Sequence, residues 1–295
     1  MPGPVELPPI HTWRALVEAA LAEDVGPGDV TSRLVVPADA RGHGVLEARQ
    51  DLVVCGLPVA RAVCEAVDPE LALAPRVAEG VAVAAGSVIA DVRGPLRALL
   101  CAERTALNFL MRLCGVATLA RRYVEEVAGT GCEIVDTRKT LPGWRALDKY
   151  AVATGGATNH RTGLYDGILL KDNHVAVAGG VLPALKAALA GAPPSLRVQL
   201  EVESEADAIA AAEAGADFLL LDNCPPPVLR AIAGRLRGRA VLEASGGVHL
   251  GNVREVAETG VHRISIGALT HSAPAADLAL EIAAVGDAPA GRATA

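Results

Sequence analysis

After Gly131 the chain settles into one repeated pattern: a short apolar run ending in polar residues, then a stretch at helical spacing. The apolar runs are Glu133 to Asp136, Asp166 to Lys171, Arg197 to Glu203, Asp217 to Asp222, Ala240 to Ser245 and Arg263 to Gly267. Between the later ones stand Glu205 to Ala214, Pro226 to Leu236 and Asn252 to Thr259, with Gly215 and Gly260 where helix ends are expected. Such alternation requires strands joined by helical crossovers, hence a parallel sheet. Six units predict either a doubly wound sheet or an incomplete relative of the eightfold βα barrel.

The polar ends of the runs decide between them. In a βα barrel the C-terminal ends of different strands converge on one mouth, whereas a doubly wound sheet gathers its ligand groups at one switch point. Here the ends carry Arg138 and Lys139, Lys171, Glu201, Asp222, Ser245-Gly246-Gly247 and Gly267. Cations, carboxylates and two small-residue loops distributed over so many ends fit one mouth. A βα barrel is therefore expected for this part of the chain.

The first 115 residues read differently. Trp13 to Glu23 has helical spacing and stops at Gly26-Pro27-Gly28-Asp29, and residues 43 to 92 alternate short Val/Ala/Leu segments with glycine and proline. Pro58 to Val67 is expected to be a helix in this small α+β layer. A long helix is predicted from Leu96 to about Val127, broken at Gly115; Leu99, Glu103, Leu107 and Leu110 share one face, with Arg104 and Asn108 one step round.

Composition narrows the function classes. Aromatics are 2% of 295 residues, so the core must be built from Ala, Val, Leu and Ile. A net charge of −7 and a pI near 5.5 argue against a general nucleic-acid binder. No apolar stretch approaches the length of a membrane helix, and the N-terminal segment lacks a signal peptide's apolar core. The six cysteines form no C-x-x-C pair and read as thiols in a reducing compartment, so a cytoplasmic protein is expected.

Against that acidic background the lysines stand out. There are four, Lys139, Lys149, Lys171 and Lys186, beside 23 arginines, and three of them lie between Asp136 and His174. That segment carries a net charge of +2 within the acidic chain, which suggests a small anionic ligand in a pocket. A compact ammonium suits point contact with phosphate, or Schiff-base chemistry in an aldolase-like barrel. Lys139 and Lys171 close apolar runs and are the functional candidates, while Lys149 and Lys186 read as solvated helix residues. His160 and Arg161, gathered with Arg138 and Lys171, would form a cluster that calls for a multiply charged anion.

Two further patterns point to phosphate. LEASGGV from Leu242 and RISIGAL from Arg263 each place a glycine turn between a strand and a helix, where backbone amides can cradle an anion. Their position at the last two strands is the usual phosphate site of such barrels. Glu201 in LEVES and Asp222 in LLLDN end neighbouring strands and suit Mg²⁺ shared with substrate phosphates. Glu203, in phase with Glu201, is a weaker candidate, and Gln199 shares the phase without charge.

The stretches EDVGPGDVTS from Glu23, ERTALNFLMRLCGVATLARRY from Glu103, DTRKTLPGWRALDKYAVATGGATNHRTGLYDGILLKDNH from Asp136, LEVES, LLLDN and LEASGGV resemble the quinolinate phosphoribosyltransferases, in order from about Trp13 to Leu280. Thr162 and Gln199 depart from the residues common there. The resemblance implies an N-terminal α/β sandwich (1–115, joined by 272–295), an open βα barrel (116–271) and a last helix returning to the first domain. It implies a homodimer, with Arg104 reaching the partner's site, and transfer of phosphoribose from phosphoribosyl pyrophosphate to quinolinate with loss of carbon dioxide. By the same resemblance Thr137, Arg138, Lys139, His160, Arg161 and Lys171 bind substrate anions. Ser245, Gly246, Gly247, Gly267, Ala268 and Leu269 hold the ribose phosphate, and Glu201 and Asp222 hold Mg²⁺ and the ribose. Lys139, Lys171, Glu201 and Asp222 are the catalytic candidates.

Overall fold

Glycine-proline-glycine-aspartate at 26–29 does what such a sequence must. It stops α1 (Arg14–Val25) and starts α2 (Val30–Val35): Gly26 and Gly28 take φ of 50° and 117°, and Asp29 accepts the Ser32 N–H at 2.9 Å. The structure, a computed structural model, describes residues 5–284, which form two units. One comprises 5–119, 142–155 and 273–284, the other 120–141 and 156–272.

The first unit holds β1 (Arg41–Ala48), β2 (Leu52–Val53), α3 (Leu57–Val67), β3 (Ala72–Pro75), β4 (Ala82–Val83) and β5 (Val88–Pro95). β1, β5 and β3 are antiparallel neighbours, and β2 pairs with β4. α3 turns Leu57, Val59, Ala60, Val63 and Cys64 into the core, the 3.6-residue stripe that its sequence anticipates. Burial pushes the thiols away from reactivity, Cys64 to about 11 and Cys114 to about 12.

α4 (Leu96–Glu126) follows as one uninterrupted helix of 31 residues, so Gly115 is not the expected break. A Cβ at Gly115 would lie 2.1 Å from the Pro274 carbonyl oxygen, so this glycine permits close packing. Leu99, Leu107 and Leu110 are buried and Arg104 and Asn108 exposed, as the spacing implied.

β6 (Glu133–Val135) belongs to the second unit, but α5 (Arg145–Thr154) returns to the first. There Trp144 stacks on Phe109, with ring centroids 4.9 Å apart, and Asp148 accepts Arg112 at 2.9 Å. Lys149, expected to be solvated, is only 4% exposed. The reason is that α5 is enclosed on all sides, with Leu147, Asp148, Ala151 and Val152 fully buried.

The terminal segment also differs from expectation. It returns to the first unit as a strand, β12 (Leu278–Ala284), antiparallel to β1, where a helix was predicted. Leu278, Leu280 and Ile282 alternate with smaller or charged residues, a period of two that suits an edge strand. Residues 285–295, where the predicted helix would continue, lie outside the described residues.

The second unit continues with β7 (Ile168–Leu170), α6 (Asp172–Val177), α7 (Val181–Gly191), β8 (Val198–Val202), α8 (Glu205–Glu213), β9 (Phe218–Asp222), α9 (Pro226–Leu236), β10 (Val241–Ser245), α10 (Val253–Ala257), β11 (Arg263–Ser265) and α11 (Ala268–His271). The six strands form one parallel sheet in the order β6-β11-β10-β9-β8-β7. β6 and β7 are unpaired with each other, so the barrel is open. Leu219 and Leu221 face one side and Phe218 and Leu220 the other, all buried, as expected of a parallel sheet covered on both faces. Gly215 and Gly260 take φ of 102° and 95° just beyond their helices. Among the described residues no helix is long and apolar enough to cross a membrane.

Candidate active site

The C-terminal ends of the parallel strands surround a cavity of about 630 Å³ in the second unit. Thr137, Arg138 and Lys139 reach it from the loop after β6, His160 and Arg161 from the loop before β7, and Lys171 from the end of β7. Asp222 with Asn223, and Ser245, Gly246 and Gly247, complete the wall from β9 and β10.

Each cation is held by local structure. The Lys139 N–H donates to Thr137 Oγ1 at 3.1 Å, and its carbonyl accepts the Thr270 hydroxyl at 2.9 Å. Its stem runs over Gly267, where an added Cβ would come within 2.9 Å of Lys139 Cδ. Gly267 therefore supports a lysine. Arg161 donates to the Gly167 carbonyl at 2.9 Å; burial and the nearby Arg138 guanidinium both lower its pKa. That shift marks a site that favours an anion. Lys171 Nζ lies 2.6 Å from Glu201 Oε2, its own side chain half exposed and that of Glu201 nearly buried. This carboxylate partner gives Lys171 a setting unlike the desolvated, unpaired one that a Schiff-base nucleophile needs.

His160 is fixed from three directions. Its N–H donates to the buried Asp136 carboxylate at 2.7 Å, and its Nδ1 accepts the Arg161 N–H at 2.8 Å. A backbone N–H is always a donor, so Nε2 carries the ring hydrogen and donates to Gln199 Oε1 at 2.9 Å. Glu243 Oε1 stands 3.4 Å from the same nitrogen.

The structure thus adds residues that the sequence reading passed over. Gln199, set aside for want of charge, anchors His160. Glu243, Ser265 and Asn223 line the cavity, and Glu243 is wholly buried. Glu243 is two residues before Ser245, on the same face of β10, and the period of two could have found it. Asn223 had no signal except its place beside Asp222. Glu203 is exposed beyond the end of β8 and is not part of the cavity wall. Leu269 is fully buried, and neither it nor Ala268 lines the cavity. Gly246 and Gly247 take φ of 90° and 64°, which turns this loop sharply. Arg104 is carried, exposed, on α4 of the first unit.

Glu201 does not line the cavity and meets it only through Lys171. An open βα barrel with four cations, the strand-end Asp222 and a glycine turn at one mouth is the architecture of a phosphate-binding βα enzyme. The family follows from comparison with known proteins. Residues 116–281 match the quinolinate phosphoribosyl transferase C-terminal domain, and residues 29–114 match the N-terminal domain of the same family. A nicotinate-nucleotide pyrophosphorylase [carboxylating] of Mycobacterium leprae is 42% identical over 278 residues, 91% of this chain and 96% of that one. A probable one of Bacillus subtilis is 37% identical over 269 residues, 91% and 93% of the two chains. The crystal structure of NadC from Streptococcus pyogenes superimposes with a TM-score of 0.90 at 34% identity, covering 94% of this chain and 98% of that one. The chain belongs to the quinolinate phosphoribosyl transferase family.

Proposed function

We propose that this chain joins quinolinate to the ribose of phosphoribosyl pyrophosphate, giving nicotinate mononucleotide, pyrophosphate and carbon dioxide for NAD synthesis in the cytoplasm. One observation carries the reading: Arg138, Lys139, Arg161 and Lys171 line the same cavity as Asp222 and the Ser245–Gly247 turn. Quinolinate brings two carboxylates, the other substrate brings a 5′-phosphate and a pyrophosphate, and the wall offers a counterpart to each.

Arg138 and Arg161 take the dicarboxylate, for which a planar guanidinium can bind both oxygens of one group. Lys171 and Arg104 of the partner subunit complete that half of the site. His160 faces the pocket as a shaped wall, its ring nitrogens held by Arg161 and Gln199. The ribose phosphate rests on the Ser245–Gly247 turn, while Gly267, Ala268 and Leu269 do not line the cavity.

The bond from C1′ to pyrophosphate breaks with its electrons leaving on oxygen. Lys139 and Lys171 meet the negative charge that develops there, while Glu201 and Asp222 face the oxocarbenium-like ribose. The pyridine nitrogen closes on C1′, and the ring becomes cationic. The bond to the C2 carboxylate then breaks, carbon dioxide departs, its electron pair remains on C2, and C2 takes a proton. The cationic ring is the electron sink, so no general base is required.

Glu201 and Asp222 are hard oxygen donors and fit Mg²⁺. Among the described residues no cluster of three or more His, Cys, Asp or Glu could enclose a metal, so water and substrate oxygens would fill most of its shell. When bound, Mg²⁺ supplies positive charge against the pyrophosphate.

Mixing tests the shared site. Arg104→Ala and Lys171→Ala chains, each inactive alone, are expected to regain part of the activity when combined, because one site in each heterodimer then has both cations. Heterodimers that form and stay inactive would contradict the arrangement.

A further inference from the structure

Asn223 is the one non-glycine residue with positive φ among the described residues, at 53°. Left-handed backbone is unfavourable for an L-residue, and asparagine tolerates it better than most. The conformation is held by contacts on two strands. Its N–H donates to the Ser245 carbonyl at 2.8 Å, across from β9 to β10. Its side-chain Nδ2 donates to Asp222 Oδ2 at 2.7 Å. A carboxylate can only accept, which fixes the orientation of the amide. The amide oxygen then lies against Gly246, where an added Cβ would stand 2.1 Å from it.

We infer that Asn223 is a positioning residue that latches the Asp222 carboxylate to the Ser245–Gly247 turn, so that the ribose and phosphate halves of the site keep one geometry. The inference rests on the function proposed above and concerns only the phosphoribosyl pyrophosphate side of the pocket. A side chain of ordinary structural value would not need a left-handed backbone beside a strand-end carboxylate. Nor would it need a glycine opposite its amide oxygen. Asn223 meets both conditions and also lines the cavity wall.

Asn223→Gly separates the possibilities. Glycine takes the left-handed backbone freely and keeps the N–H bond to Ser245, so folding and Tm should hold; only the amide is lost. The latch predicts that KM for phosphoribosyl pyrophosphate rises by about tenfold or more and kcat falls, with KM for quinolinate little changed. Asn223→Asp keeps the shape and the backbone preference but sets acceptor against acceptor, and should be worse than glycine. Calorimetric titration with phosphoribosyl pyrophosphate alone should show the same weakening. That arm reads the latch without turnover, so an inactive wild-type protein would refute the transferase reading while leaving the latch testable. A glycine variant with wild-type affinity and kcat would overturn the inference. So would a variant that loses both substrates equally together with its thermal stability.

Discussion

Lys171 and Glu201 meet across two neighbouring strand ends, Nζ to Oε2 at 2.6 Å, with the carboxylate nearly buried and the ammonium half exposed. The pair joins a cation of the cavity wall to a carboxylate at the end of the neighbouring strand. Its geometry makes the position selective for lysine. Lys171→Ala should lower kcat/KM by about 100-fold or more, and Lys171→Arg should recover little of it, because a planar fork cannot replace a point charge held against a single oxygen. Steady-state kinetics of both variants would check this; an arginine variant near wild type would contradict it.

Gly267 tests the support of the other lysine. Its φ of −66° and ψ of −32° suit any residue, so alanine carries no backbone penalty. The added Cβ would come within 2.9 Å of Lys139 Cδ and 3.2 Å of the His271 ring. Lys139 has a flexible stem and can move aside. Gly267→Ala should therefore keep its Tm yet lose about tenfold in kcat/KM, roughly 1.4 kcal/mol of transition-state stabilisation.

Glu243 is buried beneath the cavity with neither carboxylate oxygen hydrogen-bonded. Arg263, itself largely buried, stands 3.7 Å from one carboxylate oxygen, and the His160 Nε2–H stands 3.4 Å from the other. Neutralising it leaves Arg263 without its inner partner. Glu243→Gln should lower the unfolding free energy by about 3 kcal/mol, and adding Arg263→Met should return part of that loss. Urea denaturation of the single and double variants measures the coupling.

Much of this arrangement was legible in the sequence, and the parts that were not share a cause. Strand ends could be read because apolar runs and helical spacing are local signals, and those ends carried Lys171, Glu201, Asp222 and Ser245. Gly115 misled because a helical glycine opposite a carbonyl oxygen looks, in sequence, like one that breaks a helix. Lys149 misled because whether a helix is covered on one side or on all sides depends on segments far away in the chain. The terminal helix was an implication of the resemblance, whereas the strand is fixed by its pairing with β1, more than 200 residues earlier. Gln199 and Asn223 act on other side chains, and a search for charge passes over them.

Acid should loosen the first unit through Asp91. Arg76, hydrogen-bonded at 2.5 and 2.8 Å, and then His43 at 2.8 Å hold this carboxyl well below its ordinary value of 3.8. The folded pKa is depressed, so the stabilisation is present above the unfolded value and is lost as pH falls through the folded one. Thermal melts should show Tm declining below pH 3.8, and Asp91→Asn should flatten that decline.

The central claim is that one mouth performs both glycosyl transfer and decarboxylation. Quinolinate labelled in its 2-carboxylate, incubated with the protein, phosphoribosyl pyrophosphate and Mg²⁺, should release labelled carbon dioxide in step with nicotinate mononucleotide, and none when phosphoribosyl pyrophosphate is omitted. Absence of both products from the folded protein, or release of carbon dioxide without the ribosyl donor, would contradict it.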